Sequence, residues 1–162
     1  DGKVLGRYEK IHPFSYSGET DYYSRGEKTN SFALNGFTFG LTICYDLRFP
    51  ELYQSLSKKC DAIINIANWP ARRVADWSLL LHARALENQS YIIGVNRTGV
   101  DGKGLEYAKS SSVIGPTGTD VESHALSDII DIYEIDKESV DSYRRSFPVK
   151  NDRRISLYKE IL

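Results

Sequence analysis

Methionine is absent from this 162-residue chain, and cysteine is nearly so, with two residues. Two thiols cannot build the disulfide framework of a small secreted domain, and they fit a reducing compartment, so a cytoplasmic protein is expected. They do not make a zinc pattern either. Cys44 and Cys60 stand sixteen positions apart, and His12, His82 and His124 are scattered without metal-ligand spacing. An excess of one charge is also missing. Lys and Arg number 21 against 22 Asp and Glu, a net charge of −1, which leaves no footprint for nucleic acid and no acidic disordered tail. No apolar run approaches the ~20 residues that span a membrane. The glycine-rich run Gly99-Val100-Asp101-Gly102-Lys103-Gly104 lacks the trailing Ser or Thr of a phosphate-binding loop and reads as a turn. Without an initiator methionine, and with a turn-like Asp1-Gly2-Lys3 start, the chain is expected to be a piece of a longer protein.

What is present is an ordinary globular balance, 41% hydrophobic and 27% charged, with no repeat or linker to divide it. Residues 1–162 are therefore read as part of a single domain. Residues 1–7 read as a hairpin end and 11–29 as a long loop, of a length often functional in compact domains. The β-branched and aromatic run 37–43 predicts a strand. Residues 50–58 predict a helix with proline in its first turn. The apolar run 61–67 predicts a strand covered on both faces. Asp76 is placed to cap a helix reaching about Gln89, with Leu79, Ala83 and Leu86 as its apolar stripe. Strand 91–95 follows. Segments 111–114 and 121–125 flank Gly115-Pro116-Thr117-Gly118 and predict a hairpin. Strand 129–135 leads to a helix over 138–146 that Pro148 stops. The alternation predicts an α/β or α+β layered sandwich.

Cys44 is the leading candidate for chemistry. It lies between an apolar strand and the charged turn Tyr45-Asp46-Leu47-Arg48 that leads into a helix, a geometry that exposes a nucleophile. The backbone N–H that follows, on Tyr45, can face a developing oxyanion. A buried free cysteine is the ordinary alternative, and Cys60, which lacks such a turn, is read that way. Lys10 sits in Tyr8-Glu9-Lys10-Ile11-His12-Pro13-Phe14, where aromatics and proline can fix and partly desolvate it. A fixed ammonium lowers a nearby thiol's pKa and can hold an oxyanion. From local sequence alone, however, Lys10 reads as a surface charge and Glu19 as an exposed loop carboxylate. A Cys-His pairing stays open on spacing.

Three segments in order resemble the nitrilase superfamily of carbon–nitrogen hydrolases. They are Thr42-Ile43-Cys44-Tyr45-Asp46-Leu47-Arg48-Phe49-Pro50-Glu51-Leu52, the stretch Gly6 to Phe14 with Glu19 and Gly26, and Ala83 to Gln89 with Tyr91 and Gly94-Val95-Asn96-Arg97. Within the family, Ala67-Asn68-Trp69-Pro70, Trp77 and Leu80-Leu81 are most similar to omega-amidase-like members. The resemblance implies an α-β-β-α four-layer sandwich, incomplete here at its N-terminal side, and a homodimer. It implies a Glu-Lys-Cys triad that needs no cofactor or metal, with Cys44 as nucleophile, Lys10 as the lysine and Glu19 as a second, supporting glutamate. The general-base glutamate of the family has no counterpart among these residues. The implied reaction is hydrolysis of a small amide, here the monoamide of a 2-oxo dicarboxylic acid. A nitrile or carbamoyl amide is the alternative within the family, and a non-catalytic interaction module the alternative outside it.

Arg72 and Arg73, with Trp69, follow the 61–67 strand and are candidates for holding a substrate carboxylate, since guanidinium binds carboxylate bidentately. Arg84, Glu87, Asn88 and Arg97 are read as ties between helix and sheet.

Overall fold

The computed structural model describes residues 2–161. Its frame is a five-stranded sheet in the order β1-β2-β3-β4-β7. Here β1 is Ser31–Leu34, β2 Phe37–Ile43, β3 Ala62–Ala67, β4 Tyr91–Asn96 and β7 Ser112–Ile114. The three central strands are parallel, and β1 and β7 close the edges antiparallel. Parallel neighbours need long crossovers. Helix α1 (Pro50–Leu56) joins β2 to β3, and α2 (Val74–Asn88) joins β3 to β4. Both helices pack on one face, where Leu52, Tyr53 and Leu56 meet Trp77, Leu81 and Ala85 over Ile63, Ile92 and Ile114. Gly94 lets α2 sit flat on β4, because a Cβ there would lie 2.6 Å from Leu81.

A ribbon of β5 (Gly99–Val100) and β6 (Glu106–Tyr107) leaves the end of β4. Past β7, β8 (Ser123–Ser127) and β9 (Ile130–Tyr133) form a hairpin, and α3 (Lys137–Ser146) follows. Tyr133, Ile135 and Val140 pack on the sheet's second face against Phe37, Phe39 and Tyr91. Helices, sheet and hairpin are thus consecutive layers of the expected α/β sandwich. Among the described residues, the layer beyond the sheet consists of this hairpin and α3. A short helix, α4 (Ile155–Ile161), ends the chain without burying a residue. No helix among the described residues is long and apolar enough to cross a membrane.

The structure departs from the sequence expectations in five places. Residues 2–7 form no strand, and Asp1 lies outside the described residues. Arg73, not Asp76, precedes α2, and the Asp76 carboxylate instead accepts from Arg48 at 2.8 Å. The stripe Leu79–Ala83–Leu86 points away from the core, with Leu79 71% and Leu86 51% exposed. The buried face carries Trp77, Leu81, Arg84, Ala85 and Asn88. Its two polar residues are tolerated because Arg84 bonds Leu47 and Glu87, while Asn88 bonds Ser57 and the Arg84 carbonyl. Finally, the turn at 115–118 forms, but β8 pairs with β9, and only an Ile114–Asp120 bridge and one Val121–Val113 bond join its own flanks. The 61–67 strand is also less covered than expected, since Ile66 is exposed.

The C-terminal segment is held by cations on backbone carbonyls at the ends of α1 and α2. Arg144 bonds the carbonyls of Cys60 and Gln89, Arg153 that of Glu87, and Lys150 that of Ser57 at 2.8 Å. Helix C-termini favour such cations. Burial, with the nearby Arg144 and Arg153 charges, pushes Lys150 down to about 7 from an ordinary 10.5. The unfolded chain then holds a proton that the folded chain has shed, so stability rises with pH between about 7 and 10.5. The urea midpoint is expected to climb across that window, and Lys150→Met to flatten the climb. An unchanged slope in the variant would contradict this assignment.

Candidate active site

Cys44 stands where β2 breaks into a single turn of tight helix, Cys44–Arg48. Its φ of 47° is left-handed, an uncommon and strained setting for a residue with a side chain. The strand-to-turn position expected of the residue is therefore present, and the backbone strain is a feature the sequence did not reveal. The turn opens on a cavity of about 1130 Å³ at the C-terminal ends of β2, β3 and β4. Lys10, Glu19, Cys44, Tyr45, Trp69, Arg72 and Arg73 all line it, so every site residue expected from the sequence lies on one cavity.

Lys10 comes from the long N-terminal loop. Its Nζ lies 2.6 Å from Glu19 Oε2, with only 12% and 26% of the two side chains exposed. The same Glu19 oxygen accepts from the Phe14 N–H at 2.6 Å. Gly26 bonds the Lys10 carbonyl at 2.8 Å, and a Cβ on Gly26 would lie 2.1 Å from the Glu9 carbonyl oxygen. Only glycine allows that approach, which presses the loop into place behind Lys10. The surface reading that local sequence favours for Lys10 and Glu19 is set aside by this burial and pairing.

Asp46, which the sequence reading passed over, organises the site. It has no exposed surface. Its carboxylate accepts from the Tyr8 hydroxyl at 2.8 Å, the His12 N–H at 2.9 Å and the Ile43 N–H at 3.0 Å. His12 Nδ1 is also 2.9 Å away and must carry the proton, since a carboxylate only accepts. The His12 ring stacks on Phe49 at 3.8 Å. One side chain thus joins the segment on both sides of Lys10 to the turn that carries Cys44. Burial and the Asp46 charge push the Tyr8 phenol far up, so it remains a donor. The sequence did hold a signal: an acidic residue three positions after Ile43, where a helical turn begins, is placed to accept from that residue's N–H. His12 is accounted for here, which leaves Cys44 with no histidine partner among the described residues.

Burial is the largest influence on the Cys44 thiol and pushes its pKa up, with Glu19 pushing the same way. The Lys10 charge and backbone hydrogen bonds from Asn68 and Tyr45 pull it down. The balance leaves a thiol that is protonated at neutral pH and needs a base to react. Cys60 is fully buried between α1 and β3, away from the cavity, and burial raises it too.

The cavity walls are aromatic and cationic. Arg73 lies over the Phe14 ring at 5.6 Å, while Arg72 is exposed. Trp69 is nearly buried, and its indole N–H donates to the Arg73 carbonyl at 2.7 Å, so it braces the wall from behind. Arg84, Glu87 and Asn88 do form a network, but it ties α2 to the Cys44 turn and to the end of α1 rather than to the sheet as expected, Arg84 reaching the Leu47 carbonyl and Asn88 accepting from Ser57. Arg97 does not belong with them. It is exposed, lines the cavity and lies over the Tyr107 ring at 4.6 Å. Among the described residues, no group of three His, Cys, Asp or Glu side chains is placed to hold a metal.

Comparison with known proteins gives a consistent picture. The family model described as carbon-nitrogen hydrolase matches residues 1–145. The omega-amidase YafV of Escherichia coli strain K12 is 38% identical over 155 residues, covering 93% of this chain and 59% of that protein. The 2-oxoglutaramate amidase of Bacillus subtilis strain 168 is 35% identical over 159 residues, covering 98% of this chain and 61% of the other. Nit3 of Saccharomyces cerevisiae, a nitrilase-superfamily member of known structure, superposes with a TM-score of 0.80 at 31% identity, covering 95% of this chain and 56% of its own. The chain thus spans about three fifths of the length of these relatives.

Because Lys10 lowers the thiol's pKa, Lys10→Met is expected to move the pH midpoint of Cys44 alkylation upward, with Cys60 labelled far more slowly throughout. Peptide mapping after timed alkylation across pH reads both. An unmoved midpoint, or preferential labelling of Cys60, would contradict the electrostatic account.

Proposed function

The chain belongs to the carbon–nitrogen hydrolase family, and on that premise we propose that it carries the nucleophile and lysine of a cysteine-dependent amidase acting on small molecules. The observation that bears most weight is the shared cavity. It brings a strained Cys44 and a desolvated Lys10–Glu19 pair together over backbone N–H groups. A non-catalytic module has no use for a largely desolvated ammonium beside a half-buried thiol.

In the proposed reaction a glutamate from outside these 162 residues takes the Cys44 proton, as the raised thiol pKa requires. The sulfur attacks the amide carbonyl, and the electron pair moves to oxygen. Lys10 Nζ and the Tyr45 N–H hold that oxyanion. Collapse breaks the C–N bond, and the leaving nitrogen takes the proton from the glutamic acid and departs as ammonia. Water, deprotonated by the same glutamate, then hydrolyses the thioester. Glu19 is a positioning residue: its bond to Lys10 fixes the ammonium and balances its charge.

The proposed substrate is the omega-monoamide of a 2-oxo dicarboxylic acid. Amidases bearing that activity in their names are among the relatives, and the cavity supplies arginines for the free carboxylate. Of the arginines that the sequence points to, Arg73 is steadied on Phe14 and Arg72 is exposed, with Trp69 bracing the wall. Exposed Leu79 and Leu86 on α2 offer a face for a second copy, and we propose a homodimer. Two unpaired cysteines fit a cytoplasmic setting.

In the protein carrying this chain, Cys44→Ala is expected to abolish ammonia release from such an amide, and Lys10→Ala to lower kcat ~100-fold or more, the cost of losing an oxyanion donor. Near-normal kcat in either variant would overturn the mechanism. Ammonia release coupled to a dehydrogenase assay measures both.

A further inference from the structure

Of the cationic side chains on the cavity wall, Arg48 and Lys10 are paired with carboxylates, whereas Arg72, Arg73, Arg97 and Lys103 have no such pairing among the described residues, and what distinguishes Arg97 is its mounting. Arg48 is committed to the Asp76 carboxylate at 2.8 Å. Lys10 is committed to Glu19. Arg97 has no carboxylate within ion-pair distance among the described residues, and its guanidinium lies over the Tyr107 ring at 4.6 Å. Asp101 is close enough to feel the Arg97 charge, but its oxygens are occupied. They accept from the backbone of Lys103 and Leu105 and from the Tyr107 hydroxyl.

The mounting of Arg97 is rigid. Its own N–H bonds the Ala67 carbonyl at 3.1 Å. The preceding Asn96 is buried, and its side chain bonds both the N–H and the carbonyl of Trp69. Tyr107, on which the guanidinium rests, is itself 92% buried and is near enough to Cys44 to respond to charge on the sulfur. A guanidinium stacked on a ring keeps its in-plane N–H donors free for a planar acceptor.

We propose that Arg97, steadied on Tyr107 and left unpaired at the cavity wall, is a specificity-determining residue that holds the carboxylate of the substrate while Cys44 attacks its amide. This rests on the amidase reading and adds the residue that selects for an anionic substrate. The alignment of Arg97 beside Tyr107 makes the β5–β6 ribbon a selectivity wall, opposite in origin to the Arg73–Phe14 pair, which comes from the loop before α2 and the N-terminal loop.

The test uses covalent labelling of Cys44 and so does not depend on amide hydrolysis. Two chloromethyl ketones are compared, one ending in a carboxylate two methylenes from the ketone and one ending there in a methyl group. In Arg97→Met, which keeps the aliphatic stem on Tyr107, the concentration of the anionic reagent giving half-maximal inactivation rate is expected to rise about tenfold or more, the loss of one charge-assisted contact. The neutral reagent should change less than twofold, and Arg97→Lys should recover part of the loss. Equal loss on both reagents would make Arg97 merely structural, and no loss on either would leave the carboxylate to another residue; each result overturns the proposal. Failure of the amidase reading would show separately, as selective labelling by the anionic reagent in a protein that releases no ammonia from amides.

Discussion

The carboxylate of Asp46 has no exposed surface, and a charged group so far from water is tolerated only when donors surround it. The donors it finds are Tyr8, His12 and Ile43. Two of these flank Lys10 and the third precedes Cys44. Satisfying one buried acceptor therefore fixes two distant stretches of chain against each other. The remaining constraints are local. Gly26 allows the loop to lie against Glu9, the tight turn throws Cys44 into a left-handed backbone, and Glu19 holds the ammonium that the loop delivers.

This arrangement sets two opposing influences on the sulfur. Burial keeps the proton on, while Lys10 and the N–H groups of Asn68 and Tyr45 favour its removal. A thiol in that balance is quiet in the absence of a base and becomes a thiolate in a site already prepared for negative charge. In the proposed reaction Lys10 and the Tyr45 N–H also hold the oxygen that becomes negative during attack, so groups that lower the cost of the nucleophile would also stabilise what it forms. Around them, rings carry arginines: Trp69 under Arg48, Phe14 under Arg73 and Tyr107 under Arg97. Rings restrict these long side chains before any ligand arrives, which reduces the ordering cost on binding.

Much of this was legible in the sequence, and the failures have physical causes. Strands β2, β3 and β4 and helices α1 and α3 were visible because apolar runs and proline punctuation mark them without reference to distant partners. The buried face of α2 was misjudged because it contains Arg84 and Asn88, whose polar groups are satisfied only by residues far away in sequence. The β8 pairing was misjudged because a good turn at 115–118 does not decide which strand its flank joins. In the site, Cys44, Lys10 and Glu19 were found through ordered motifs. Asp46 was missed because an acidic residue in a turn is ordinarily solvated, and the donors that bury it lie 34 and 38 positions upstream. Arg97 was assigned to a tie between helix and sheet because its ring partner, Tyr107, sits on a ribbon too short to read from pattern.

The central claim is that Asp46 acts on Cys44 chiefly by holding the Lys10 segment in place. A double-mutant cycle on the pH midpoint of Cys44 alkylation tests it most directly, using Asp46→Asn, Lys10→Met and the double variant, each checked for cooperative unfolding. If Asp46 works through Lys10, Asp46→Asn raises the midpoint and Lys10→Met adds little once Asp46 is gone. Shifts that simply add would mean that the two residues act on the sulfur independently, and would contradict the account.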